Sequence, residues 1–454
     1  MRVHLRRVVF AFLAVALLLF LCIVVIQNND VATIESSSQR FGKSPGDVLR
    51  PVRLPVRQIP VRHKRRRRHP RPVLDGYTSI NRRPDKFGPV VASVGSYPKL
   101  WPHDGHWLIG ADFDRIAAQM KFVPRGYTAA AVPKDKYKTI ALFDGDDNMP
   151  MGREKFIRDK CPVNTCLVTN TDFRRADALL FKSSVYTTFR DRPPNQTWIL
   201  FALESPLNTG TYEVGRNQVN WTATYRPDST IVAPYEKFQF FANVSELPKT
   251  APRDFAAGKK KLVAWFVSNC ETTNRRMEYV QELQQYIEVD IFGGCGKFTC
   301  DREQAQSCFD MLKKDYKFYL AFENSNCQYY ITEKFFRNAL MNDVVPVVMG
   351  ARREDYAIAA PPHSYIHVED FRSPKKLARY LRKLNANDHL YNEYFRWKGT
   401  GEFIDTKFWC RLCAMLHSDH VQWYPGVNKW WHHNGTCTSG SWGDPSRYID
   451  PPSV

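Results

Sequence analysis

The chain has 454 residues, of which 43% are hydrophobic, and it carries a formal net charge of +19. This length allows two or three domains with sizeable hydrophobic cores. Because 15 basic and 5 acidic residues between positions 27 and 90 supply +10 of that charge, the excess is concentrated in one segment and does not by itself indicate a nucleic-acid-binding protein.

An apolar segment near the N-terminus predicts a membrane anchor. Residues 8–26 are 19 consecutive apolar residues, which is long enough to span a bilayer. A signal peptide also has a basic start and an apolar core, but this run is long for one and lacks a small-residue cleavage pattern at its end. Arg6 and Arg7 precede the run and no basic residue follows it closely, which places residues 1–7 in the cytosol. We expect a single-pass type II protein with its body in the lumen.

Residues 27–95 form a basic segment in which prolines recur. Such a composition cannot bury enough apolar surface to fold alone, so we expect a disordered stem that holds the body away from the membrane. The basic run at residues 62–68 could be a nucleic-acid patch or a nuclear signal. After a membrane anchor, a solvated charge run, a contact with acidic lipids or a protease site is the better interpretation.

The body carries features of the secretory lumen. Cys22 falls in the anchor, which leaves ten of the 11 cysteines in the body, enough for five disulfides in an oxidising compartment. Cys410 and Cys413 form a CxxC pair, which could be half of a zinc site or a redox pair, but no second CxxC accompanies it and a structural role is favoured. Four glycosylation sequons begin at Asn195, Asn220, Asn243 and Asn434.

The first part of the body, residues 96–250, contains several predicted strands, at residues 137–143, 165–169, 177–181 and 198–203. Asp144 and Asp146 follow the first strand, where carboxylates could hold Mn²⁺ with a nucleotide diphosphate. Asp-Gly is also common turn chemistry, and we expect no metal site here.

The last of these strands ends at Glu204, and Pro206 turns the chain sharply. Glu204 would therefore lie at the carboxyl edge of the sheet, where open α/β sheets place catalytic groups. A solvated glutamate at a strand end is the alternative.

The second part of the body, residues 258–409, begins with a strand–helix–strand pattern. Strands are predicted at residues 262–267 and 287–292, with apolar residues at helical spacing between them. Arg275 and Arg276 fall in the first turn of this helix, where a planar guanidinium suits diphosphate oxygens. A surface arginine is the alternative and is favoured for Arg275. Ser373 and Pro374 predict the start of a later helix.

A second strand–loop–helix–strand unit follows. Residues 316–322 and 344–350 are apolar runs typical of buried strands, and residues 333–341 between them are predicted to be a helix with Thr332 as its N-cap. Polar residues at 323–326 follow the first strand, and Lys334 lies in the first helical turn. A helix N-terminus with a lysine favours an anion, which indicates a site for a phosphorylated ligand. A capped helix with a solvated lysine is the alternative.

The residues of this unit resemble the signature of the α1,3-fucosyltransferases, Golgi enzymes that use GDP-fucose. The resemblance rests on Phe322-Glu-Asn-Ser325 with Tyr330-Ile-Thr-Glu-Lys334, and it extends to the strand–Glu–Ser–Pro segment at Glu204. One residue departs from the pattern, since Tyr329 stands where the family usually has an acidic residue.

The resemblance implies a role for each matching residue. It makes Glu204 the general base, with a pKa raised in a closed cleft, and residues 207–218 the place of acceptor contacts. The residues that it implies for donor binding are Arg276, Glu323, Asn324, Tyr330, Glu333 and Lys334. It also connects the CxxC pair to the N-terminal half, with Cys161 and Cys166 as the partners.

The resemblance also implies a fold and a reaction. The fold is α/β, with two Rossmann-like domains facing a cleft (GT-B type), residues 96–250 binding the acceptor, residues 258–409 binding GDP-fucose and residues 410–454 forming a Cys/Trp-rich tail. No cofactor is expected for the chemistry, although a divalent cation could stimulate it. The expected location is the Golgi membrane, through residues 8–26.

The expected acceptor is the innermost GlcNAc of a glycoprotein N-glycan. Segments such as residues 160–166 and 267–270 resemble the invertebrate and plant enzymes that act there. A Lewis-type enzyme acting on N-acetyllactosamine is one alternative, and a catalytically silent Golgi glycan-binding protein is another. The presence of Glu204, Arg276 and Lys334 argues against the silent protein.

Overall fold

The computed structural model describes residues 100–102, 114–143, 149–182, 185, 192–212, 218–300, 305–418 and 420–449. The chain divides into residues 1–71 and 72–454, and all described residues belong to the second unit. The predicted anchor and the whole of the predicted stem, like Asp144 and Asp146, lie outside the described residues. Within the described ranges, none of the helices has the length and apolarity needed to cross a membrane.

The strands, in chain order, are β1 Lys138–Leu142, β2 Cys166–Thr169, β3 Ala178–Phe181, β4 Thr197–Ala202, β5 Trp221–Thr224, β6 Lys237–Phe240, β7 Lys261–Phe266, β8 Val289–Phe292, β9 Tyr316–Phe322, β10 Asn326–Cys327, β11 Val345–Met349, β12 Ile366–His367, β13 Gly401–Ile404 and β14 Cys437–Thr438. The α-helices are α1 Arg115–Lys121, α2 Glu154–Arg158, α3 Arg276–Gln284, α4 Ala305–Asp315, α5 Arg353–Ala359, α6 Pro374–Asn385, α7 Asp388–Asn392, α8 Phe408–Leu416 and α9 Val427–Trp431. Short 3₁₀ turns cover Ala129–Ala131, Lys134–Lys136, Leu340–Asn342, Val368–Asp370, Glu393–Phe395 and Pro445–Arg447.

Two five-stranded parallel sheets organise these elements. The first has the strand order β2-β1-β3-β4-β5 and the second the order β12-β11-β9-β7-β8. Strands such as β3 and β11 are buried on both faces, which is why their sequences are short continuous apolar runs. The prediction of an α/β fold is confirmed at this level.

The centre of the second sheet is β9, in which every residue is buried. Phe318 and Leu320 pack on one face with the inner sides of α3 and α6. Tyr319 and Ala321 pack on the other face with Phe335. The strand therefore ends at a fixed point, and the polar loop after it is held by the core beneath.

The helix predicted at residues 333–341 is present, but most of it is a π-helix rather than an α-helix. The chain forms a π-helix at Lys334–Ala339 and then the 3₁₀ turn at Leu340–Asn342, and no side chain caps the π-helix. Thr332 donates its amide and its hydroxyl to the carboxylate of Glu323, and its Oγ1 lies 3.5 Å from the amide of Lys334, the first residue of the π-helix. The Ser373 cap of α6 is confirmed, since its side chain accepts from the amide of Lys376.

The ten cysteines of the body form five disulfides. Cys161 pairs with Cys410 and Cys166 with Cys413, and the other pairs are Cys270–Cys295, Cys300–Cys308 and Cys327–Cys437. The first two join residues that are 249 and 247 positions apart and fasten α8 to the core of the first sheet. His417 lies beside Cys166 and Cys413, but sulfurs joined in a disulfide are not the thiolates that zinc binds.

The four predicted glycosylation sites differ in exposure. Asn195, Asn243 and Asn434 are exposed. Asn220 is 6% exposed, and its Nδ2 donates to the carbonyl of Gln422 while its Oδ1 accepts from the amide of Trp198. A glycan on Nδ2 would break this packing, so, contrary to the sequence prediction, we expect Asn220 to carry no glycan in the folded chain.

Expression in a eukaryotic secretory system tests this difference. Asn195→Gln, Asn243→Gln and Asn434→Gln should each remove one glycan from the intact mass, whereas Asn220→Gln should remove none. Because the amide of Asn220 is part of the core, peptide mass mapping of the wild-type protein is the better measurement at that position. A glycan found on Asn220 would contradict the packing described above.

Candidate active site

The carboxyl ends of the two sheets meet at Glu204. This residue follows β4 of the first sheet, whereas Asn324 and Tyr330 follow β9 of the second. Glu204 Oε1 accepts hydrogen bonds from Tyr330 Oη at 2.7 Å and from Asn324 Nδ2 at 3.3 Å. Ser205 Oγ also donates to Ser325 Oγ at 2.8 Å. The structure thus brings the predicted base and two of the predicted donor-binding residues into one constellation.

Two further donors to Glu204 come from its own loop, and both were missed by sequence reasoning. The amide of Ser205 lies 2.7 Å and Asn208 Nδ2 3.4 Å from Glu204 Oε1. Asn208 falls in the loop that was predicted to contact the acceptor, but nothing in the sequence indicates that it bonds Glu204. All four donors reach Oε1, and Oε2 accepts no hydrogen bond from the part of the chain that the structure describes.

These bonds overturn the expectation of a raised pKa. Burial alone would raise the pKa of Glu204, but hydrogen bonds from Tyr330, Ser205, Asn324 and Asn208 outweigh it and lower the pKa below its ordinary value. The carboxylate is therefore ionised at neutral and mildly acidic pH. It is ready to accept a proton rather than to donate one.

A second carboxylate, Glu323, is fully buried beside Lys334. Its Oε2 lies 3.1 Å from Lys334 Nζ, and Thr332 donates to both carboxylate oxygens. Lys334 Nζ also lies 3.0 Å from Glu333 Oε1, and the side chain of Glu333 is 44% exposed. Burial would lower the pKa of Lys334, but the charges of Glu323 and Glu333 raise it, so the lysine is a permanent cation. In this arrangement Glu323 holds Lys334 in place.

Arg276, the first residue of α3, connects two strand ends. Its Nη1 donates to the carbonyl of Phe322 at 2.7 Å and its Nη2 to the carbonyl of Asn269 at 2.9 Å. Its Nε is buried and has no hydrogen-bond partner among the described residues. Arg275 instead pairs with Glu278 on the surface, as favoured from the sequence.

Tyr329, which stands where the family usually has an acidic residue, lies beside Arg352 and Asp355. Its φ of 60° lies in the left-handed region, and its amide donates to Asp355 Oδ2 at 2.9 Å. The guanidinium of Arg352 lies 5.1 Å from the centre of the Tyr329 ring and also bonds Asp355. Asp355 therefore supplies a carboxylate to Arg352, and the tyrosine ring adds a cation–π contact.

Gly350, which follows β11, leaves room for Glu323. It has a φ of 150°, and a Cβ atom there would lie 2.7 Å from Glu323 Cγ. We expect Gly350→Ala to lower the free energy of unfolding by about 1–3 kcal/mol, as overpacking does. Gly210→Ala is the matched control because that position is open, and it should change stability by less than about 0.5 kcal/mol. Urea unfolding measures both, and equal effects would contradict the close contact.

Comparison with known proteins places this site in a family. A sequence model described as "Glycosyltransferase family 10 (fucosyltransferase) C-term" matches residues 256–430, and one described as "Fucosyltransferase, N-terminal" matches residues 135–236. The chain is 50% identical over 355 residues to glycoprotein 3-alpha-L-fucosyltransferase A of Drosophila melanogaster, covering 76% of this chain and 69% of the relative.

Two other similarities are more distant. The human 4-galactosyl-N-acetylglucosaminide 3-alpha-L-fucosyltransferase FUT5 is 40% identical over 231 residues, covering 50% of this chain and 59% of its own. A crystal structure of an alpha1,3-fucosyltransferase with GDP-fucose has a TM-score of 0.43 at 17% identity, covering 63% of this chain and 92% of that one. By its sequence matches, the chain belongs to glycosyltransferase family 10, the fucosyltransferases, and it is a glycosyltransferase.

Proposed function

We propose that this protein transfers L-fucose from GDP-fucose, with inversion, in α1,3 linkage to the innermost GlcNAc of glycoprotein N-glycans. The observation that carries the proposal is the ionised carboxylate of Glu204, which follows the first sheet and is bonded by residues that follow the second. The 50% identity to a glycoprotein 3-alpha-L-fucosyltransferase supports the choice of acceptor.

The proposal includes the architecture. The two parallel sheets would be the cores of two Rossmann-like domains of GT-B type, with residues 96–250 binding the acceptor and residues 258–409 binding the donor. The meeting of the two carboxyl edges at Glu204 supports a cleft with both substrates between them. Residues 8–26 would anchor the protein in the Golgi membrane with its body in the lumen.

Glu204 would be the general base. As the acceptor hydroxyl attacks the anomeric carbon of fucose, its proton passes to Glu204 Oε2, the oxygen that the described residues leave unbonded. The new carbon–oxygen bond forms while the bond to the GDP phosphate breaks, and the electron pair leaves with GDP. Attack opposite the leaving group converts a β-linked donor into an α-linked product.

The departing diphosphate needs compensating charge, which we assign to Lys334 and Arg276. The segment after Thr332 is a six-residue π-helix, so side chains rather than a helix dipole must supply this charge. We infer that Lys334 keeps the buried Glu323 and exchanges the half-exposed Glu333 for a phosphate oxygen. This exchange would free Glu333 to bind a fucose hydroxyl.

Two buried polar atoms without partners support a ligand at this place. Asn324 Oδ1 and Arg276 Nε form no hydrogen bond with the described residues. Leaving such atoms unpaired costs about 1–3 kcal/mol each, which a sugar hydroxyl or a phosphate oxygen would recover. Asn324 and Tyr330 are thus placed to hold hydroxyl groups of the donor, and Arg276 its phosphates.

The choice of acceptor is tested with labelled GDP-fucose and the full-length purified protein. A trimmed N-glycan and N-acetyllactosamine are offered separately, each with and without EDTA. We expect transfer to the innermost GlcNAc with and without EDTA, since side chains supply the positive charge. Transfer to the lactosamine alone would overturn the acceptor but not the reaction, and transfer lost in EDTA would overturn the metal-independent mechanism. GDP binding without transfer would indicate a silent binding protein.

Glu204→Gln tests the base. We expect transfer to fall by at least ~10²-fold while the affinity for GDP is unchanged, because the amide is isosteric but cannot accept the proton. Steady-state kinetics and calorimetric titration with GDP measure the two quantities. Glu246→Gln, at an exposed position, is the control, and unchanged transfer by Glu204→Gln would remove Glu204 from this role.

A further inference from the structure

The C-terminal segment, residues 420–449, is built into the site, although the sequence assigned it no role. We call residues 424–442 of it the C-terminal strap. At its start, Tyr424 bonds Thr222 and Thr230 of the first sheet's core. Near its end, Trp442 Nε1 donates to the carbonyl of Gly350, directly after β11 of the second sheet. The strap therefore contacts both sheets on either side of Glu204.

The middle of the strap holds the loop that follows Glu204. His432 Nε2 lies 3.1 Å from the carbonyl oxygen of Pro206, and Trp431 Nε1 donates to Thr209 Oγ1 at 2.8 Å. Asn428 Oδ1 accepts from the amide of Tyr212 at 3.0 Å and also contacts His432 Nδ1 at 2.9 Å. Three successive points of the loop are thus fixed by one short helical segment.

Trp431 also supports the other side of the base through ring contacts. Its ring centre lies 5.7 Å from that of Tyr225, which in turn lies 5.2 Å from that of Tyr330. Tyr330 makes the 2.7 Å hydrogen bond to Glu204. All three rings are at most 5% exposed, so the position of the Tyr330 hydroxyl depends on the packing of Trp431.

The strap is joined covalently to the loop after β9. β14 pairs antiparallel with β10, and the Cys327–Cys437 disulfide connects the same two strands. The amide of Gln328 donates to the carbonyl of Thr436 at 2.8 Å. This attachment lies two residues before Tyr330, in the segment after β9 that donates to Glu204. The strap is thus bound to that segment and also to the loop after Glu204, which supplies the other donors.

We propose that the C-terminal strap positions the general base, with Trp431 and His432 as positioning residues that act through Pro206, Thr209 and Tyr330. The inference rests on the proposed function, in which Glu204 is the base. A displacement of a catalytic group by about 1 Å can reduce a rate ~10²-fold. The loss of a few hydrogen bonds that hold the loop after Glu204 can therefore lower the rate of transfer.

Substitutions at His432 and Trp431 of the full-length protein test the proposal. His432→Leu removes the bond to Pro206, and we expect kcat to fall about tenfold or more while KM for GDP-fucose and the affinity for GDP stay within about twofold. His432→Gln keeps a donor and should recover most of kcat. Trp431→Phe removes the bond to Thr209 and reduces the ring that packs on Tyr225, so kcat should fall here as well. Trp423→Phe, at a 41% exposed position just before the strap, is the control.

Two readouts separate positioning from a general loss of structure. In a Glu204→Gln background, His432→Leu should have no further effect, because it acts through the missing base. Amide hydrogen exchange of residues 205–212 should rise in His432→Leu and not in Trp423→Phe, and this measurement does not depend on activity. If His432→Leu fails to fold, Trp431→Phe takes its place in both measurements.

The outcomes distinguish this inference from the proposed function. If the wild-type protein transfers fucose and Glu204→Gln is impaired, an unchanged kcat in His432→Leu overturns the proposal for the strap and leaves the proposed function standing. The proposal is also overturned if His432→Leu lowers kcat by the same factor in the Glu204→Gln background as in the wild type, or if it leaves the amide exchange of residues 205–212 unchanged. A wild-type protein without transfer overturns the proposed function, and hydrogen exchange then decides whether the strap holds the loop.

Discussion

One carboxylate oxygen links the two sheets of this protein. Glu204 Oε1 takes donors from its own turn and from the loop after β9, so the bonds that join the two sheet edges also set the charge state of the group between them. A carboxylate in a partly buried cleft is costly to ionise unless such donors are present. Here four such donors reach Glu204 Oε1, and all of them come from the protein itself.

The cation of the site is likewise paired in advance. Lys334 contacts two carboxylates, one buried and one half-exposed, which gives them unequal roles. Glu323 is buried and would be left with an uncompensated charge if Lys334 moved away, whereas the half-exposed Glu333 can be replaced by another anion at little cost. Binding of a phosphorylated ligand would therefore be an exchange of partners, with Glu323 as the fixed half of the arrangement.

Much of this could be predicted from the sequence, for physical reasons. Strands buried in a parallel sheet leave short apolar runs, and the polar residues after 203 and 322 mark where those runs stop. The lowered pKa of Glu204 could not be predicted, because two of its donors lie 120 and 126 positions away. The side chain of Asn220 bonds Gln422, 202 positions away, so its burial cannot be predicted from the neighbouring sequence either.

The attachment of α8 to the first sheet constrains how the chain is made. Cys161 and Cys166 belong to the first sheet's core but find their partners at Cys410 and Cys413. If the body lies in the lumen, as proposed above, these two thiols would enter an oxidising compartment before their partners, 249 and 247 positions further on, are made. They are near enough in sequence to pair with each other, and that premature bond would have to be reshuffled by thiol exchange. The core of the first sheet is thus complete only once Cys410 and Cys413 have been synthesised.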